Sequence, residues 1–114
     1  MQLWHNPRCS KSRAAKALLE ERGSEYEERL YLETPPTAAE LSAVLTALGI
    51  EPWELARMGE PVARELGLAG EPHDRGRWLE LMAANPILIK RPILVTGDGR
   101  AALGRPPEAI EALL

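Results

Sequence analysis

Apolar residues recur along the chain with two different spacings, which predict an alternation of strands and helices. Residues 2–5 form a short apolar segment that predicts a strand, and residues 25–32 alternate weakly and predict a second one. Between them, residues 10–22 carry their apolar positions on one side and end before Gly23, which indicates a helix. This order requires parallel pairing of the two strands through a helical crossover.

The middle of the chain has helical spacing throughout. Thr37 and Glu40 form a capping box that begins a helix ending at Gly49, because side chains at this spacing satisfy free N–H groups of the first turn. The same spacing predicts further helical segments around residues 53–58, 60–67 and 74–84, followed by an extended or turn stretch at residues 86–88.

The last part of the chain predicts a hairpin and a helix. Residues 92–96 form a strongly apolar strand, residues 97–99 a glycine-rich hairpin turn, and residues 101–103 the return strand. Two prolines and a glutamate at residues 106–108 begin a final helix that extends through Leu113.

Together these elements predict a single α/β domain over residues 1–114. The first unit supplies parallel strands and the last unit antiparallel strands. We therefore expect a mixed sheet flanked by helices, of thioredoxin type with a helical insertion. Arg91–Pro92 falls where that fold places a cis-proline beside its active cysteine, although most X–Pro bonds are trans, so the sequence leaves the isomer open.

Composition narrows the range of functions. A net charge of −3 gives no support for general nucleic-acid binding, although a local basic patch can still bind a small anion. One cysteine forms no internal disulfide, and with two histidines it assembles no zinc cluster. An intact thiol suits the reducing cytoplasm, which is the predicted location. The chain has no signal-peptide pattern and no apolar run of membrane-spanning length, so we expect no membrane partner.

The single cysteine is the most informative residue. Cys9 lies at the start of the first predicted helix, where its sulfur faces unpaired backbone N–H groups and the positive end of the helix dipole. His5, Arg8, Lys11 and Arg13 add positive charge nearby. These factors favour the thiolate, which is the nucleophilic form. The polar and basic surroundings disfavour the alternative of a buried structural cysteine.

Four chemical interpretations of this cysteine can be compared. A dithiol redox pair needs a second cysteine at the position of Ser12, so any redox cycle must use an external thiol. A low-molecular-weight tyrosine phosphatase needs an arginine at the position of Ala15. A Cys–His hydrolase would use His5 as its base, but no oxyanion site or third catalytic member is evident. The remaining interpretation is a monothiol that attacks an oxyanion.

An oxyanion substrate needs more positive charge than the cysteine loop supplies. Arg57 follows a short predicted helix, Arg91 directly precedes Pro92, and Arg105 directly precedes Pro106. The latter two lie at junctions between regular elements, where loops commonly carry function. A guanidinium suits a tetrahedral oxyanion because its planar fork offers two directed donors. For each arginine taken alone, a solvated surface charge is the alternative.

Five segments together resemble the glutaredoxin-dependent arsenate reductases over essentially the whole chain and in the same order. They are residues 5–13, 31–37, 65–68, 85–92 and 104–106. The resemblance implies a thioredoxin-like fold with a helical insertion, in agreement with the apolar pattern. It also implies a set of site residues: Cys9 as nucleophile, His5 as an aid in lowering the thiol pKa, Arg57, Arg91 and Arg105 as oxyanion ligands, and Ser12 and Arg13 in the loop around the anion.

The resemblance further implies the reaction, which is reduction of arsenate to arsenite with glutathione as co-substrate and glutaredoxin as protein partner. That reaction requires no metal and no bound organic cofactor, so we expect neither. Residues 58–61 depart from the Lys-Asn pair often found after the first arginine of that family. A sister group that binds RNA polymerase and often carries C-x-x-C gives one alternative, a non-enzymatic regulatory protein. A thiol-dependent reductase of another substrate is a third hypothesis. The three arginines together with Ser12 favour the arsenate reductase.

Overall fold

A computed structural model describes residues 1–114 and contains one four-stranded sheet. The strands are β1 (Gln2–Trp4), β2 (Glu27–Arg29), β3 (Ile93–Val95) and β4 (Ala101–Leu103). Their order across the sheet is β2-β1-β3-β4, in which β1 pairs parallel with β2 and antiparallel with β3, and β3 pairs antiparallel with β4. The mixed sheet predicted from the sequence is confirmed.

The helical elements are more numerous than the strands. The α-helices are α1 (Ser10–Glu21), α2 (Ala38–Leu48), α3 (Pro52–Leu55), α4 (Pro61–Glu65) and α5 (Arg75–Ala84). Three 3₁₀ segments lie at Leu68–Gly70, Pro86–Leu88 and Pro107–Leu113. No helix is long and apolar enough to cross a membrane.

Four predicted elements differ clearly from the observed ones. Residues 86–88 form a 3₁₀ helix instead of an extended or turn stretch, and the helix predicted around residues 53–58 ends at Leu55. The second strand covers only Glu27–Arg29 instead of residues 25–32, because its partner β1 ends at Trp4 and offers no further backbone to pair with. The last helix, Pro107–Leu113, is 3₁₀ and not α. It begins with proline at its first position and continues for 7 residues, which is longer than most 3₁₀ segments.

The predicted helix boundaries are set by local interactions. The Thr37 hydroxyl accepts the Glu40 N–H at 3.1 Å, while the Glu40 carboxylate accepts the Thr37 N–H at 3.0 Å, so the predicted capping box is present. The helix it begins ends at Gly49, whose positive φ of 70° is left-handed backbone that favours glycine.

The hydrophobic core lies on both faces of the sheet. Because successive residues of a strand point to opposite faces, the neighbours Leu3 and Trp4 enter different core clusters. Leu3 packs with residues of α1 and with Ile110, which cover one face. Trp4 packs with the larger cluster contributed by α2, α3 and α5 on the other face. The sheet is therefore flanked by helices on both sides, as predicted.

Backbone pairing outside the sheet brings the three candidate arginines into adjacent segments. Ala56 forms an isolated antiparallel bridge with Ile89, which sets Arg57 close to the segment that leads to Arg91. The Gly104 N–H donates to the Pro92 carbonyl at 2.8 Å, so the segment that carries Arg105 lies against the segment that carries Arg91. The peptide bonds Arg91–Pro92 and Arg105–Pro106 are both cis. The sequence suggested the first as a possible cis-proline and gave no indication of the second.

Candidate active site

The loop between β1 and α1 holds the cysteine at the N-terminus of a helix. Cys9 is the N-cap residue of α1, and its carbonyl accepts the Arg13 N–H at 3.0 Å. Asn6 closes the loop from inside, since its carbonyl accepts the Cys9 N–H at 3.0 Å and its side-chain oxygen accepts the Arg8 N–H at 3.0 Å. The predicted position of Cys9 at a helix start is therefore observed.

The environment of Cys9 favours the thiolate. Burial by itself raises the pKa of the thiol, but the backbone N–H groups of Ser12 and Lys11 and the Arg91 guanidinium together outweigh it. The resulting pKa lies below the ordinary value for cysteine. The helix N-terminus thus supplies donors to the sulfur, and the cation comes from a distant segment of the chain.

His5 and Ser12 form a buried pair behind the cysteine loop. His5 Nδ1 lies 2.7 Å from Ser12 Oγ, which also accepts the Asn6 N–H at 3.0 Å. Burial lowers the pKa of His5 below 6.5, although the Glu28 carboxylate partly opposes it. The imidazole is therefore neutral at neutral pH, and the predicted positive charge on His5 is wrong.

Arg91 is the one arginine of the chain with a buried side chain. Its side chain is about nine-tenths buried, and its Nε and Nη1 atoms have no hydrogen-bond partner within the chain. Buried donors without partners cost free energy and are rare in folded proteins, so each needs an explanation. An anion beside Cys9 would accept hydrogen bonds from these donors.

The other two candidate arginines line one open cleft of about 550 Å³. Arg57 Nε donates to Glu60 Oε1 at 3.1 Å, and Arg105 Nε donates to the Arg91 carbonyl at 3.1 Å. A third cation, Lys90, lines the same cleft and donates to the Glu54 carbonyl at 2.9 Å. The three arginines are thus in contiguous segments, with Arg91 buried and the other two facing the cleft.

Arg13 contacts the backbone of the cysteine loop itself. Its Nη1 donates to the Pro7 carbonyl at 2.9 Å, and the side chain is otherwise exposed. This contact stabilises the loop from outside. A contact between Arg13 and the oxyanion stays a prediction.

Several site residues were not found by sequence reasoning. Tyr31 is fully buried, and burial, against the opposing charges of Arg91 and Arg57, raises its pKa to about 12. Its neutral hydroxyl lies near Arg91. The sequence offered one indication of a role at the site, because Tyr31 belongs to residues 31–37, one of the segments that resemble the family. Lys90 had the same kind of signal, since it lies in residues 85–92, whereas Glu28 had none, because only the folded chain brings it to His5. No group of three or more His, Cys, Asp or Glu side chains converges as a metal site.

Comparison with known proteins gives matches over nearly the entire chain. The sequence profile of the ArsC family matches residues 4–113. A protein named arsenate reductase from Neisseria meningitidis serogroup A is 45% identical over 115 residues, which cover 100% of this chain and 97% of that protein. The arsenate reductase of Escherichia coli K12 is 38% identical over 112 residues, covering 98% of this chain and 79% of that protein.

Solved structures are also similar to this chain over its full length. The structure named arsenate reductase from Vibrio cholerae superposes with a TM-score of 0.92 at 39% identity, covering 100% of this chain and 98% of that one. The resemblance suggested by the sequence motifs is confirmed, and the chain belongs to the ArsC family.

Proposed function

We propose that this protein is an arsenate reductase in which Cys9 is the nucleophile and glutathione and glutaredoxin supply the reducing thiols. One observation carries the proposal. The buried guanidinium of Arg91, with two donors that have no partner in the chain, lies beside a thiol whose pKa is lowered. A thiolate next to a desolvated cation with free donors is suited to attack on a small oxyanion.

The first step forms a bond between the sulfur and arsenic. The Cys9 thiolate attacks arsenic(V), one As–O bond breaks, and that oxygen leaves as water after protonation. Arg91 lowers the cost of the charge on the remaining oxygens because its donors are fixed in place before the anion arrives. Arg57 and Arg105 add positive charge from the cleft. Arsenic stays in the +5 state during this exchange.

The second step brings in external thiols. The glutathione sulfur displaces a second oxygen as water, which gives an adduct with arsenic between Cys9 and glutathione. The glutaredoxin thiolate then attacks the glutathione sulfur, and the electron pair of the broken As–S bond stays on arsenic and reduces it to arsenic(III). Water displaces the Cys9 sulfur and arsenite leaves. Cys9 is the only cysteine of the chain, so no internal thiol can replace these partners.

The cleft beside Arg57 and Arg105 supports the place of glutathione in this scheme. Glutathione carries two carboxylates, and Lys90 adds a cation to the cleft beyond the three arginines assigned to the oxyanion. Lysine is a suitable partner for a carboxylate at an open surface because its ammonium is a compact, mobile charge.

The proposal is tested by arsenate-dependent NADPH oxidation in a coupled assay with glutathione, glutaredoxin and glutathione reductase. We expect turnover only when both thiols are present, and none with thioredoxin alone. Full turnover with thioredoxin in the absence of glutathione would contradict the resolving route. A reactive Cys9 without any arsenate turnover would contradict the activity itself and favour the regulatory alternative.

A further inference from the structure

Glu28 lies on the side of His5 opposite to Ser12. Its Oε1 is 3.4 Å from His5 Nε2, while His5 Nδ1 is 2.7 Å from Ser12 Oγ. His5 is only 2% exposed and Ser12 is fully buried, whereas Glu28 reaches the surface, where Lys16 Nζ lies 3.3 Å from both of its oxygens. A surface carboxylate is thereby held against a buried ring that contacts the cysteine loop.

The position of Glu28 decides which ring nitrogen carries the proton. A neutral imidazole has one N–H and one bare nitrogen, and an ionised carboxylate can only accept. Glu28 therefore favours the N–H at Nε2, which leaves Nδ1 bare. The Ser12 hydroxyl must then donate to Nδ1, and its oxygen accepts the Asn6 N–H. In this arrangement Nδ1, the Ser12 hydroxyl and the Asn6 N–H all have hydrogen-bond partners, and the Nε2–H faces the Glu28 carboxylate at 3.4 Å.

The other tautomer leaves a group without a partner. A bare Nε2 would direct its lone pair at the Glu28 carboxylate, and an N–H at Nδ1 would donate to the Ser12 oxygen. The Ser12 hydrogen would then need a new acceptor. Ser12 is three residues after the N-cap residue Cys9, so the two side chains share one face of the first helical turn, and we assign the thiolate as the new acceptor.

We infer that Glu28 is a positioning residue that fixes His5 as the Nε2–H tautomer and so directs the Ser12 hydroxyl to His5 and away from the Cys9 thiolate. The inference rests on the proposed function in that Cys9 is the nucleophile. Its consequence is kinetic: a thiolate that accepts fewer hydrogen bonds is more basic and more nucleophilic. Glu28 thus acts on the sulfur through two other side chains.

The charged groups around His5 determine which variants test the role of Glu28 and which serve as controls. His5 is faced by Glu28 from β2 and by Lys16 and Arg13 from α1. Glu28→Leu removes the carboxylate and prevents acceptance at Nε2. Glu28→Gln keeps a carbonyl oxygen that can accept the same N–H. Glu27→Leu removes a carboxylate of the same strand that is exposed and points to the other face.

The first measurement is the ¹⁵N spectrum of the imidazole nitrogens at neutral pH. The chain has only two histidines, so His73→Gln assigns the His5 signals directly. We expect the wild type, Glu28→Gln and Glu27→Leu to carry the proton on Nε2, and Glu28→Leu to move it to Nδ1. A proton on Nδ1 in the wild type, or on Nε2 in Glu28→Leu, overturns the inference. If Glu28→Leu does not fold, Glu28→Ala removes the same carboxylate and is measured in its place.

The second measurement is the rate of Cys9 alkylation by iodoacetamide against pH. In Glu28→Leu the freed Ser12 hydroxyl donates to the sulfur, so the inflection moves to lower pH while the plateau rate falls about three- to tenfold. Loss of packing alone would leave the plateau unchanged or raise it, and either result overturns the inference. Because no arsenate is used, this outcome is independent of whether the protein reduces arsenate.

Discussion

The cysteine loop and the Arg91 segment satisfy their polar groups in opposite ways. In the loop, Asn6 and Ser12 give the backbone N–H groups and the His5 ring partners within the chain. In the Arg91 segment, two buried guanidinium nitrogens have none. Under the proposed function this difference separates two roles: the chain itself orients the Cys9 nucleophile, whereas the Arg91 guanidinium is left to be completed by the oxyanion.

The largest expected effect comes from removing the nucleophile while keeping the cation. Cys9→Ser should lower arsenate turnover by at least about a thousandfold, because no other thiol of the chain can form the bond to arsenic. Oxyanion binding measured by calorimetry with arsenate should change little. Loss of binding together with turnover would show that the two sides of the site are not separable in this way.

The reverse change removes the cation and keeps the nucleophile. Arg91→Met should lower kcat/KM by roughly ten- to a hundredfold, since a charge-assisted contact contributes about 1.5–3 kcal/mol. The Cys9 pKa should rise, because Arg91 is one of the groups that favours the thiolate, so the alkylation inflection moves to higher pH.

The same variant should also be more stable than the wild type. Methionine leaves no buried donor without a partner, and we expect the free energy of unfolding to rise by about 1–3 kcal/mol in denaturant titrations. A less stable Arg91→Met protein would mean that the guanidinium is satisfied within the chain, and the contrast between the two sides of the site would disappear.

The smallest effect is expected at a contact outside both sides of the site. Arg29 donates to Glu40 at 2.6 Å, and this contact together with the Thr37 N–H lowers the pKa of Glu40 to about 2. A lowered carboxyl pKa contributes stability above the ordinary value, and that stability is lost as the pH falls toward 2. Glu40→Gln should therefore flatten the stability profile between about pH 4.5 and 2.

The cost at neutral pH should stay within about 1 kcal/mol, because Glu40 is partly exposed and water screens the pair. Arsenate kinetics should be unchanged, which makes the variant a control for effects on stability alone. A change in kcat/KM would indicate that the β2 end of the sheet is coupled to the site more strongly than its contacts imply.

Local signals explain what the sequence predicted well. The Thr37–Glu40 capping box and the left-handed end of α2 at Gly49 depend on residues within a few positions of each other. The placement of Cys9 at the start of α1 follows from the adjacent turn. These interactions are determined by neighbouring residues, so their chemistry is readable before the fold is known.

Nonlocal pairing explains what the sequence did not predict. The second strand is short because its partner β1 ends at Trp4. The apolar pattern of residues 25–32 carries no information about where that partner strand ends. His5 was predicted to add positive charge beside Cys9, but burial, which depends on the packing of the folded chain, lowers the pKa of its ring. Glu28 faces His5 only because strand register sets Glu28 opposite Leu3.

Gly104 limits how this site can be redesigned. A Cβ at this position would lie 2.7 Å from Pro92 Cγ, closer than the rigid proline ring can accommodate. The backbone segments that carry Arg91 and Arg105 are therefore held at a distance that only glycine permits. Engineering of the oxyanion preference toward larger or smaller anions has to exchange side chains on this frame, because the frame itself cannot be widened at residue 104 without moving both cations.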